Sequence, residues 1–152
     1  MKLSPHFSLA EMTKSQAAER KGIDNIPGPE EVENLKSLCN NLLEYIRIHF
    51  NKPVVINSGF RNKKVNSIIG GSNKSQHTTG QAADIEIPGI SNLDLAKWIS
   101  NNIEFDQLIL EFHDIKIPDS GWVHVSWNSK GNRKQILTID RSGTKVGLPN
   151  KL

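Results

Sequence analysis

The clearest pattern in the chain is the spacing of apolar residues in "PGPEEVENLKSLCNNLLEYIRIHF". Val32, Leu35, Leu38, Cys39, Leu42, Leu43 and Ile46 recur every three or four positions, which predicts one long helix with a wide apolar stripe. Pro29 suits a first-turn position, and Glu30, Glu31 and Glu33 lie where the helix dipole favours negative charge. Upstream, "FSLAEMTKSQAAERKG" reads as a shorter helix or helix pair, with Ser8 and Thr13 as caps. Beyond Pro53 the period changes. "VVINSGF" is β-branched and ends in a glycine turn, so a strand is expected, followed by a helical turn over Lys63–Ile69 and a Gly/Ser/Asn-rich loop. "AADIEI" reads as a strand that Pro88 and Gly89 stop, and "SNLDLAKWISNN" as a helix capped by Ser91 or Asn92. Three more strands are predicted in "FDQLILEF", "GWVHVSW" and "KQILTID", and the segment 141–152 reads as a polar tail after a domain over 1–140. Helices come mostly early and strands mostly late. That order predicts a single α+β domain, its sheet largely antiparallel and its helices packed on one side.

Alternation along the strands puts chemistry on one face, because residues two apart on a strand point the same way. Ala83, Ile85 and Ile87 oppose Ala82, Asp84 and Glu86. Val123, Val125 and Trp127 oppose Trp122, His124 and Ser126, while Leu108, Leu110 and Phe112 oppose Gln107, Ile109 and Glu111. If these strands are neighbours, Asp84, His124 and Glu111 converge, and His77 reaches the same place from the loop "SQHTTGQ". Two neutral imidazoles and a carboxylate suit a zinc ion that keeps a fourth position open. Each residue also has an ordinary structural role by pattern alone. His77 is a solvated loop residue in that reading, Asp84 a strand-edge carboxylate, His124 a half-buried hydrogen-bonded imidazole and Glu111 an exposed strand acid.

The totals narrow the classes. The 152 residues suffice for one domain with a proper core. With 36% hydrophobic and 23% charged residues, the chain has the composition of a folded rather than a disordered protein. A single cysteine, Cys39, excludes an intramolecular disulfide and a cysteine-rich zinc site, and its place on the helix stripe makes it a buried thiol. The net charge of +3 favours anionic partners, but there is no lysine- and arginine-rich stripe interleaved with aromatics, so nucleic acid is not expected. No apolar run approaches the ~18 residues of a membrane span, and the opening "MKLSPHFSLAEMTKSQ" lacks the apolar run of a signal peptide. Synthesis in the cytoplasm is therefore expected, with a monomeric state favoured.

The pieces together resemble a known signature. "SQHTTGQAAD" has the form S-x-H-x-x-G-x-A-x-D, and "WVHVSW" supplies a later histidine. "SGFR" and the V-N-x-x-[IV]-G-G-S run from Val65 to Ser72 belong to the same pattern. The chain from about His6 to Trp127 resembles the zinc-dependent D-alanyl-D-alanine carboxypeptidases, whose relatives include phage endolysins that cut L-alanyl-D-glutamate bonds, on a fold shared with the hedgehog signalling domain. The resemblance implies one zinc ion held by His77, Asp84 and His124, with Arg61 gripping substrate and Ser75 hydrogen-bonding to it. It also implies peptidoglycan stem peptides as substrate, and action on the cell wall after release or from a virion. Many members carry the catalytic acid three residues before the last histidine, where this chain has Gly121. Glu111 is the expected replacement, ahead of Asp119 and His113. The competing expectation is an inactive zinc-stabilised binding or virion module of the same fold.

Overall fold

The computed structural model describes residues 1–150. A small antiparallel pair, β1 (Lys2–Ser4) and β2 (Phe7–Ser8), leads into α1 (Leu9–Thr13) and α2 (Gln16–Lys21). Ser8 caps α1 in a capping box with Glu11. Thr13 does not cap α2 as expected. Its hydroxyl turns back to donate to the Leu9 carbonyl at 2.8 Å, and Ser15 caps the helix instead.

The long predicted helix is present in three parts: α3 (Pro29–Leu38), a π-helical turn (Cys39–Leu43) and α4 (Glu44–Phe50). Leu35, Leu38, Cys39, Leu42, Leu43 and Ile46 are all fully buried, so the apolar stripe runs through the π turn unbroken. Glu44, just past it, is buried too. It accepts hydrogen bonds from Ser4 Oγ (2.6 Å) and the His6 backbone N–H (2.8 Å), and its other oxygen pairs with His6 Nδ1 at 2.7 Å.

The rest of the chain comprises β3 (Val55–Ser58), α5 (Lys63–Ile68), a 3₁₀ turn (Gln76–Thr79), β4 (Ala82–Glu86), α6 (Asn92–Asn102), β5 (Gln107–Glu111), β6 (Trp122–Ser126), β7 (Gln135–Asp140) and β8 (Gly143–Val146). Strands β3 to β8 form one sheet in the order β3-β4-β6-β5-β7-β8. Four of its five pairings are antiparallel, and β5 with β7 is parallel, so the sheet is mixed. Strand β8 lies in the segment that reads as a polar tail. It is exposed along its length and pairs with β7, so backbone hydrogen bonding holds it where side-chain burial does not.

Inward-facing Ala83, Ile85, Leu108, Leu110, Val123 and Val125 join the helix residues Leu35, Leu38, Leu42, Ile46, Leu95 and Ile99 in one core. The helices thus cover one face of the sheet and leave the other for polar residues.

Candidate metal centre

The register of the central strands sets out the polar face in rows. Asp84 on β4 pairs with His124 on β6, and His124 with Ile109 on β5. Two residues along, and so on the same face, Trp122 pairs with Glu111, and Ser58 on β3 flanks Asp84 from the other side. The neighbourhood that alternation required, β4 beside β6 beside β5, is therefore present.

His77 arrives from the 3₁₀ turn. Ser75 caps that turn, its hydroxyl oxygen accepting from the His77 backbone N–H at 3.2 Å. Gln76 anchors it from the side by donating to Asp106 Oδ2 at 2.8 Å. Asp106 is fully buried, and Arg133 grips both of its oxygens at 3.0 Å. Backbone bonds tie the "SGFR" segment to the same turn: Arg61 N–H donates to the His77 carbonyl at 3.0 Å, and His77 Nδ1–H donates to the Gly59 carbonyl at 2.7 Å. That second bond fixes the tautomer and leaves Nε2 unprotonated, facing Asp84.

Three buried side chains converge. His77 Nε2 lies 3.4 Å and His124 Nδ1 3.1 Å from Asp84 Oδ1, and the two imidazole rings are 5.1 Å apart between centroids. Their ligand atoms all lie within 4.8 Å of one another. Tetrahedral ligands on a zinc ion, with bonds of ~2.0–2.1 Å, sit roughly 3.3 Å apart, so both ligand pairs involving Asp84 have the right separation. Protonation also fits. Burial alone would raise the Asp84 pKa, but the two neighbouring histidines, His124 foremost, outweigh it and hold the carboxyl well below its usual range. Burial pushes the His77 pKa down, against the pull of Asp84, a shift that favours the neutral imidazole. An ionised carboxylate and a neutral imidazole are the forms that bind metal.

Around this group lie two further charged side chains. Glu111 is half-buried, and Trp122 Nε1–H donates to its Oε2 at 2.5 Å. Burial raises its pKa first, and the Asp84 charge adds to that, against His124, the Trp122 bond and Arg61. Arg61 is half-buried as well. Burial lowers its pKa, while Asp84 and Glu111 oppose the shift. Of the other two acid–base candidates, Asp119 is exposed in the turn before β6, and His113 Nδ1 bonds with the Ser120 carbonyl at 3.0 Å.

Gly121 explains why no acid stands at the position three before His124. Its φ is +67°, and a Cβ there would lie 2.1 Å from the Glu111 carbonyl oxygen and 2.6 Å from the Phe112 carbonyl carbon. Phe112 itself has φ +53°. It leaves the strand alternation that assigns it to the core, stands 47% exposed, and packs on Trp122 with ring centroids 5.5 Å apart.

The fold and site together define an α+β domain with a His₂Asp centre on the open face of its sheet. Residues 5–126 match the family model described as Peptidase M15, and the protein belongs to that family of zinc-dependent peptidases. The matched span is most of the chain and includes His77, Asp84 and His124, which could hold a metal ion, together with Arg61 and Glu111. Among curated proteins, a sequence comparison returns no match. No helix of the described residues is long and apolar enough to cross a membrane.

Proposed function

We propose that the protein is a zinc metallopeptidase that hydrolyses an amide bond in peptidoglycan stem peptides. The bond would be of the D-Ala-D-Ala carboxypeptidase or the L-Ala-D-Glu endopeptidase type. It acts on the wall after release from the cytoplasm or from a virion, as phage endolysins do. The observation that carries this reading is the pairing of a His77–Asp84–His124 centre with a half-buried carboxylate, Glu111, two residues along on the same face.

His77, Asp84 and His124 would hold the zinc ion, which would supply Lewis acidity for the scissile carbonyl and a nucleophilic water at neutral pH. Glu111 takes the proton of the attacking water and returns it to the leaving amine. Its raised pKa suits it to both directions of transfer, and the indole N–H of Trp122 holds one oxygen so that the other is free to act. Arg61 holds a carboxylate or carbonyl of the peptide through its forked donors. The Ser75 hydroxyl, whose oxygen caps the turn, keeps its own proton to donate to the substrate.

The test pairs hydrolysis with zinc content in Glu111→Gln and Glu111→Ala. Both variants are expected to keep one zinc per chain and lose hydrolysis of purified sacculi by at least ~100-fold. If the zinc-loaded wild type never cleaves sacculi, the protein is a zinc-stabilised module, a reading that Gly121 favours. If the variants cleave normally, Glu111 is not the base.

A further inference from the structure

The V-N-x-x-[IV]-G-G-S run, Val65 to Ser72, contributes no side chain to the metal centre, yet one of its members is buried beside Arg61. Asn66 on α5 is 3% exposed. Its Nδ2 donates to the Ser72 carbonyl at 2.9 Å, which fixes the orientation of the amide. Oδ1 therefore faces the other way and accepts from Arg61 Nε–H at 3.3 Å. Gly71 makes room for it, since a Cβ there would lie 2.2 Å from Oδ1, and the Gly71 N–H closes the turn on the Asn66 carbonyl at 2.9 Å. On the other side, Ser58 Oγ accepts from Arg61 Nη1 at 3.1 Å.

Both acceptors are neutral. Arg61 forms no ion pair among the described residues, although Asp84 and Glu111 are near enough to act on its charge. The guanidinium has five N–H donors, and these two bonds leave most of them, and the full positive charge, uncommitted. We infer that Asn66, with Ser58, is a positioning residue: it aims Arg61 at the substrate's carboxylate or carbonyl without neutralising it. The inference rests on the reading of Arg61 as the substrate-holding group. It gives the Gly-Gly-Ser turn a purpose, which is to admit and orient an asparagine where an aspartate would clamp the arginine.

A double-mutant cycle on the zinc-loaded full chain tests this, with hydrolysis of purified sacculi as the assay. Zinc content and melting temperature serve as controls. Asn66→Ala is expected to lower the specific rate by on the order of 10- to 100-fold, as displaced substrate-positioning groups do. In an Arg61→Ala background the same change is expected to alter the rate less than about twofold, because coupled residues are non-additive. Asn66→Asp, which preserves shape, is expected to fold, bind zinc and lose activity comparably. An equal loss from Asn66→Ala with and without Arg61 would mark a structural role and overturn the inference. So would full activity in Asn66→Asp. A fully active Arg61→Ala would instead overturn the assignment of Arg61, and this inference with it. Should wild type leave sacculi uncut, hydrogen exchange at Arg61 Nε–H, read by ¹⁵N NMR, decides the matter. Faster exchange in Asn66→Ala supports the inference, and unchanged exchange overturns it.

Discussion

Placing a side chain at Gly121 tests whether the catalytic acid has moved to Glu111. In Gly121→Ala the new Cβ falls 2.1 Å from the Glu111 carbonyl oxygen and within 2.7 Å of the Phe112 carbonyl group, all backbone atoms with no rotamer to change. The left-handed conformation at φ +67° costs a non-glycine residue about 1–2 kcal/mol. Prising the β5–β6 rung apart adds overpacking of about 1–3 kcal/mol. A loss near 3 kcal/mol corresponds to a fall in melting temperature of roughly 6–12 °C for a domain of this size. Differential scanning calorimetry of zinc-loaded wild type and variant measures it. Because the displaced carbonyl belongs to Glu111, activity is expected to fall as well. Gly121→Asp, which places an acid three residues before His124, is expected to be just as unstable and not to rescue Glu111→Gln. A Gly121→Ala protein melting within about 1 °C of wild type would refute the steric reasoning. An active Gly121→Asp/Glu111→Gln protein would refute the transfer of the acid.

Other expectations are simpler to check. His77→Ala should reduce zinc, read by metal analysis after dialysis, from one ion per chain to none, since it removes one of three ligands. Burial, with Glu44 adding to it, pushes the Cys39 thiol up to about 12, so Ellman's reagent should find no reactive thiol in the native protein and one after denaturation. Burial would raise the Glu44 pKa, but bonds from Ser4 and His6 hold it below the usual glutamate value. Its stabilisation is therefore present above the unfolded-state pKa and lost as pH falls through the folded one. Ser4→Ala should lower stability at pH 7 by about 1–2 kcal/mol in urea unfolding, and the gap to wild type should narrow below about pH 4.

The parts of the site legible in the sequence are those that periodicity controls. Alternation in "AADIEI", "DQLILEF" and "GWVHVSW" assigns Asp84, Glu111 and His124 to polar faces, and the structure has them there. Strand order is carried by no period, so their convergence needed the sheet. Phe112 and Gly121 break the alternation through positive φ, a backbone property that side-chain pattern does not report. The π turn at Cys39–Leu43 was hidden for the opposite reason: the apolar stripe continues across it. Strand β8 is exposed along its length, so no hydrophobic signal marks it. Gln76, Asp106 and Asn66 support the site through side-chain hydrogen bonds that no period announces, and only the Gly-Gly that makes room for Asn66 left a trace in the sequence.

The most direct test of a zinc peptidase acting on the cell wall is mass spectrometry of muropeptides after digestion of purified peptidoglycan, with zinc-loaded and chelator-treated protein side by side. The expected result is one class of cleaved stem-peptide product, absent after chelation and restored by adding zinc. Intact stem peptides in the presence of fully zinc-loaded protein, or cleavage unaffected by chelation, would contradict it.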